Sequence, residues 1–153
     1  QGYTIKAIDE LQNFINAYTK STRIPEANKL IDELRLKLET KAFDEAMLYF
    51  NLKEYQSATI TLNNMLKDFP DSQNAEKIRY FIVKSNYTLA ENSVYSKKLE
   101  RYETTLIAAE LYLNKFSKTK DRREVDGILK STKQIIKNLE KDGYKDKSTR
   151  DRS

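Results

Sequence analysis

The sequence predicts an all-α fold, a solenoid in which antiparallel helical hairpins stack on one another. Apolar residues recur at steps of three and four along nearly the whole chain, which is the spacing of helices that each bury one stripe. Only 3 of the 153 residues are glycine and 2 are proline, so few positions interrupt a helix. The polar segments between the stripes are short, and short connections favour antiparallel neighbours.

The first three predicted helices are each marked by an apolar stripe. The first stripe runs from Ile8 to Tyr18, and the second runs from Pro25 to Tyr49. Proline is favoured at the first position of a helix, which supports that start. The third stripe runs from Tyr55 to Phe69 and ends at Pro70, because proline has no N–H to donate into a continuing helix.

The last three predicted helices follow the same spacing. They run from Ala75 to Leu89, from Leu99 to Phe116 and from Val125 to Leu139. After Lys141 the pattern ends in Asp-Gly and a polar segment that has no apolar stripe to bury. We therefore expect one helical repeat domain over residues 1–141 and a disordered polar tail over 142–153.

Three stretches of the chain repeat one pattern. Residues 7–21 match residues 58–72 in character at every apolar position, at an offset of 51 residues. Residues 102–119 match residues 55–72 at an offset of 47 residues. Each copy ends in an aromatic residue, a turn and a Ser or Thr, which we expect to cap the next helix. The chain is thus predicted to be a repeat protein.

The central copy resembles a tetratricopeptide repeat, in which two helices interlock through small and aromatic residues ahead of a proline. Counted back from Pro70, the agreement covers three positions of the second helix and two of the first: Tyr55, Ala58, Leu62, Ala46 and Tyr49. Ala46 is the small position at which we expect the two helices to approach each other. The repeat spacing exceeds the ~34 residues of an ordinary tetratricopeptide repeat, which implies longer helices or loops.

These long repeats are similar to those of BamD-type outer-membrane assembly lipoproteins. The similarity lies in Lys-Asp-Phe-Pro-Asp-Ser at 67–72 and in the long helix that begins at Pro25. Leu-Ala-Glu-Asn-Ser at 89–93 is most similar to members from Bacteroidetes-type bacteria. The resemblance covers about residues 3–140 and corresponds to the C-terminal half of such a protein, so the lipid-carrying N-terminal Cys and the first repeats would be missing here. The sequence departs from the motif where Thr19 and Ser117 replace its proline.

The resemblance implies a function without catalysis. It implies a scaffold of outer-membrane β-barrel protein assembly, at the periplasmic face of the outer membrane. Its partners would be the periplasmic domain of the barrel-forming, BamA-like assembly subunit and other assembly lipoproteins. Membrane association would come only through the N-terminal lipid, and no cofactor, metal, small-molecule substrate or nucleic acid is expected as a ligand.

The residue inventory excludes most catalytic chemistry independently of the resemblance. The chain has no Cys and no His, which removes thiol nucleophiles, imidazole bases, disulfides and nearly all structural zinc sites. Gly2, Gly127 and Gly143 are isolated, so no glycine-rich phosphate loop exists. Acidic pairs such as Asp9-Glu10 lie on the flanks of apolar stripes, which is typical of solvated helix faces.

The 10 tyrosines of the chain are predicted to serve the core. Tyrosine beside lysine can stack on the bases of single-stranded nucleic acid. Half of these side chains, however, fall on apolar stripes or repeat positions: Tyr18, Tyr49, Tyr55, Tyr102 and Tyr112. Packing therefore explains them better than base stacking.

Positive charge is concentrated at the end of the chain. Residues 1–114 hold 15 basic and 16 acidic side chains, whereas residues 115–153 hold 13 and 7. On the sixth helix a row of lysines at steps of three and four lies roughly opposite the apolar stripe, and we call it the basic ridge: Lys130, Lys133, Lys137 and Lys141. Three interpretations stay open, namely a solvated end cap, a docking surface for an acidic partner, and a contact for anionic lipid or nucleic acid.

The partner-binding residues are predicted on two helices. Family resemblance points to the polar side of the third helix, near Thr61, Asn64 and Lys67. From the basic ridge we add Lys130, Lys133 and Lys137 as an electrostatic steering element. The alternatives are a generic tetratricopeptide adaptor with unrelated partners and, from another class, a basic helical nucleic-acid-binding domain.

Overall fold

The protein is described here by a computed structural model that covers residues 2–143, and within that range it contains six α-helices and no β-strand. The helices are α1 (Gly2–Ala17), α2 (Ile24–Asn51), α3 (Tyr55–Asp68), α4 (Ala75–Glu91), α5 (Tyr95–Lys115) and α6 (Arg122–Lys141). The predicted all-α fold, with one helix for each apolar stripe, is confirmed. None of these six helices is long and apolar enough to cross a membrane. From residue 144 onward, the tail predicted to be disordered lies outside the described residues.

The chain divides into two compact units, residues 1–45 and 46–153, with the boundary inside α2. The first unit contains α1 and the first part of α2. No residue of α1 is buried, whereas Ala27 and Ile31 of α2 are. Leu11 and Phe14 of α1 and Ala27 of α2 line an open cavity of about 260 Å³. The first unit therefore buries little apolar surface of its own.

One local prediction at the end of the first repeat is wrong. Tyr18 is not a core residue: α1 ends at Ala17, so Tyr18 leaves the helical stripe and is 62% exposed. Ser21 and Ser72 lie three residues ahead of the first residues of α2 and α4. Each hydroxyl accepts the backbone N–H of the residue two positions later, at 3.2 Å and 3.0 Å, and so stabilises the turn before the helix.

In the second unit the helices pack in chain order. α3 packs against α4, α4 against α5 and α5 against α6, and α4 also contacts α6. A tight turn joins the end of α2 to α3, with Lys53 at a φ of 64°. The core consists of fully buried side chains from every helix of the unit, among them Ala46, Ala58, Leu62, Ile78, Val83, Ala109, Tyr112 and Val125.

Tyr112 of α5 connects three parts of the second unit through its hydroxyl. The ring is fully buried, and the hydroxyl donates to the carboxylate of Glu76 in the first turn of α4. The hydroxyl of Thr119, in the α5–α6 connection, lies 2.8 Å from the hydroxyl oxygen of Tyr112. Burial, followed by the hydrogen bond to Glu76, raises the pKa of Tyr112 to about 12. The phenol is therefore held neutral in a buried polar network.

A second polar cluster joins α4 to α6. The hydroxyl of Tyr80 donates to Glu124 at 2.7 Å, and the ammonium of Lys84 lies 3.1 Å from the other oxygen of that carboxylate. The hydrogen bond from Tyr80 holds the pKa of Glu124 below its usual value. Partial burial opposes the charged form of Lys84, but its hydrogen bonds to Tyr80 and Glu124 raise its pKa. These shifts favour the ion pair at neutral pH.

We expect Ala46→Phe to destabilise the second unit. Ala46 has no exposed surface, and it belongs to the same repeat as the buried residues Ala58 and Leu62. A phenyl ring at this position would overpack the core and lower the free energy of unfolding by about 1–3 kcal/mol, measured by urea denaturation. Leu48→Phe, at a 56% exposed position of the same helix, should change it little. An unchanged value for Ala46→Phe would contradict the helix register.

We expect Tyr112→Phe to lower the free energy of unfolding by about 1–2 kcal/mol, because Glu76 and Thr119 lose a buried partner. Tyr3→Phe, at a 90% exposed position, is the control.

The pKa of Tyr112 in the folded protein lies above the unfolded value near 10. The contribution of this hydroxyl to stability is therefore present below pH 10 and is lost as the pH rises through about 12. The ultraviolet absorbance titration curve of Tyr112→Phe, subtracted from that of the wild type, should show one phenol that ionises near pH 12. Ionisation of this phenol near pH 10 would contradict the network.

Candidate functional site

The predicted docking residues on α3 form one polar flank of that helix. Thr61 is half-buried, and Asn64 and Lys67 are exposed. α3 is held in place by its opposite, buried stripe of Ala58, Leu62 and Met65. At 100° per residue, Thr61, Asn64 and Lys67 lie on one side of this stripe, so the three form a continuous surface that we call the α3 flank.

The basic ridge on α6 is partly neutralised. Lys130 lies 2.6 Å from Asp126 of the same helix, and Lys133 lies 3.0 Å from Glu110 of α5. Lys137 is exposed and has no ion pair among residues 2–143. The uncompensated charge of the ridge is therefore concentrated toward the C-terminal half of α6.

The structure does not bring the two predicted sets of residues into one site. α3 packs against α4, whereas α6 packs against α5 and, through fewer residues, against α4. Thr61, Asn64 and Lys67 thus stand on a different helix from Lys130, Lys133 and Lys137, with other helices between them in the packing order. A partner that used both sets would have to span several helices.

A concave feature of the second unit was missed by sequence reasoning. It is a groove with α3 and α5 as its walls and α4 as its floor, formed by two adjoining cavities of about 210 Å³ and 310 Å³. Thr59, Asn86 and Thr104 line both cavities. We call this feature the α3–α5 groove. A sequence signal for it existed: Ile107 and Leu111, four residues apart on α5, lie off the stripe that packs the core.

The groove has apolar walls and a polar floor. Ile107 and Leu111 are 60% and 54% exposed, although both are large apolar residues. On the floor Asn86 is buried and accepts a hydrogen bond of 3.3 Å from Thr59. Arg79 lines the first cavity, and its Nε is buried with no hydrogen-bond partner among the described residues. The groove therefore combines apolar surface with an unsatisfied donor.

Neither the groove nor the α3 flank presents the groups of a metal or acid–base site. Within residues 2–143 there is no group of three or more Asp or Glu side chains placed to hold a metal ion. The shifted pKa values described above belong to the two polar clusters that join helices. The chemistry available at these surfaces is that of recognition: hydrogen bonds, charge and apolar contact.

The chain matches a known protein family. The family model named YfiO, described as outer membrane lipoprotein, matches residues 1–101 of the 153. A search of the curated proteins found no match. The matched segment includes α1 to α4 and the start of α5, and so includes the α3 flank; α6 and the basic ridge follow it. Because the family model covers more than half of the sequence, the chain belongs to the YfiO family of outer membrane lipoproteins.

Proposed function

We propose that this chain is a non-catalytic scaffold of outer-membrane β-barrel protein assembly, acting at the periplasmic face of the outer membrane. In this proposal the α3 flank docks on the periplasmic domain of the barrel-forming assembly subunit. Other assembly lipoproteins are further partners. The observation that carries the proposal is the family match, because it extends across the whole of α3.

The composition of the α3 flank supports a role in docking. Asn64 and Lys67 are exposed, Thr61 is half-buried, and only one of the three side chains is charged. Polar residues with little charge are inexpensive to desolvate compared with clusters of ions. The helix beneath them is fixed by Ala58, Leu62 and Met65, so binding does not have to order its backbone.

The basic ridge supports a steering role rather than a second docking site. Exposed charge acts over about one Debye length and is screened by salt, so it changes association rates more than lifetimes. Lys130 and Lys133 are already paired with Asp126 and Glu110. We therefore assign most of the steering to Lys137, and these ion pairs also make the ridge a poor match for the phosphates of nucleic acid.

We expect two classes of substitution to affect the two rate constants differently. Thr61→Arg or Asn64→Arg should chiefly speed dissociation from the assembly subunit's periplasmic domain, because a long cation would be buried there. Changing Lys130, Lys133 and Lys137 together to Glu should slow association at low salt, because each change replaces a positive charge on the ridge with a negative one. The measurement is surface plasmon resonance over a series of salt concentrations.

The control for net charge is the triple change Lys6→Glu, Lys20→Glu and Lys29→Glu, at exposed positions of the first unit. It alters total charge equally and should leave association nearly unchanged. If the ridge substitutions left the association rate unchanged, the basic ridge would be only a solvated end cap. Tight binding to DNA without binding to the assembly subunit would support the nucleic-acid alternative, and binding to neither would leave the generic adaptor.

A further inference from the structure

We propose that the α3–α5 groove is a binding site for a short, extended segment of a partner protein that carries aliphatic side chains flanked by carboxylates. This site lies on the opposite side of α3 from Thr61. Thr59 and Asn63, which line the groove, are rotated from Thr61 by about 160° on the helix, at 100° per residue. The inference therefore goes beyond the proposed function and does not depend on it.

Large apolar side chains at the groove are exposed to solvent instead of packing in the core. Ile107 and Leu111 are four residues apart on α5, so their side chains stand one above the other on the same wall. Both are more than half exposed, while Ile82 beneath them on α4 is buried. On the opposite side of the groove, Ile60 of α3 is 54% exposed. Together they offer contacts for aliphatic side chains.

Charge on the groove selects for an anionic segment. Arg79 lines one cavity, and Lys97 and Arg101 line the other. Glu100, the one acidic residue lining either cavity, lies 3.4 Å from Lys97 and is offset by it. Arg101 donates to the hydroxyl of Ser93 at 2.6 Å, which is a neutral partner. The guanidinium groups of Arg79 and Arg101 thus keep their positive charge uncompensated.

The two ends of the groove each carry one arginine. Arg79 and Leu89 mark the two ends of the floor on α4, and ten residues of helix span about 15 Å. A five-residue extended segment spans about 14 Å between its first and last Cα atoms. Carboxylates at its two ends can therefore reach the two guanidinium groups. Each pairing would be a charge-assisted hydrogen bond, and the pairing at Arg79 would satisfy the buried Nε.

An extended segment suits the groove because it presents alternate side chains to one face. The two cavities, of about 210 Å³ and 310 Å³, offer separate places for those side chains along the groove.

The test uses three labelled peptides and the whole chain, with fluorescence anisotropy as the readout. The first peptide is Asp-Leu-Ser-Leu-Asp, blocked at both ends. The second replaces both Asp with Lys, and the third replaces both Leu with Ser. We expect the first to bind at least tenfold more tightly than either of the others, and its affinity to fall with added salt.

Single substitutions assign the binding to the groove. Arg79→Gln should weaken binding of the first peptide by about tenfold or more, because it removes a charge-assisted hydrogen bond. Leu111→Ser should weaken it several-fold, and its exposure means that the fold tolerates the change. Two matched controls should leave binding unchanged: Arg123→Gln on α6 and Leu48→Ser on α2, both at exposed positions.

Three results would overturn the proposal. The first is equal or tighter binding of the Lys-flanked peptide. The second is wild-type affinity in both Arg79→Gln and Leu111→Ser. The third is the absence of peptide binding together with loss of a self-association in Leu111→Ser by sedimentation, which would make a second copy the occupant. Thr61→Arg should leave peptide affinity unchanged, so failure here and failure of the α3 flank are distinguishable.

Discussion

The part of the protein after residue 45 depends on the packing around α4. α4 contacts α3, α5 and α6, more neighbours than any other described helix of this unit has. Its buried positions therefore point in several directions and include small and polar residues as well as aliphatic ones: Ile78, Ile82, Val83, Ser85, Asn86 and Ala90. Large apolar side chains all round would hold the neighbours too far apart, whereas small residues allow close approach. The same arrangement makes α4 the floor of the α3–α5 groove.

Hydrogen bonds fix the connections that apolar packing leaves undefined. Apolar contact is not directional, so it does not decide how a loop leaves a helix. Arg122 donates to the carbonyls of Leu113 and Phe116, both at 2.7 Å, and so closes the last turn of α5. Tyr112 ties the same end of α5 to Glu76 of α4. The directional bonds thus specify the α5–α6 connection, on which the position of the basic ridge depends.

The sequence was sufficient to predict the features that follow from local periodicity, namely the helices and many buried positions. It was insufficient to predict the features that need contacts between residues far apart in the chain. All six helices follow from stripes at steps of three and four, and the buried positions Ala46 and Ala58 follow from the repeat pattern. Tyr18 fits the same spacing, but the helix ends one residue too early for it. The neutralisation of Lys133 could not be predicted, because its partner Glu110 is on another helix. The groove needs three helices, so only its wall residues Ile107 and Leu111 left a local signal.

The uneven burial along the chain has a consequence for local unfolding. α1 has no buried residue, whereas α4 and α5 each have at least five. Segments with few buried contacts open with small free energies, and segments in the core exchange their amide protons only through larger openings. Amides of α1 are therefore expected to exchange with solvent through fluctuations that leave α4 and α5 folded. Within residues 2–143, a protease is therefore expected to cleave α1 before α4 or α5.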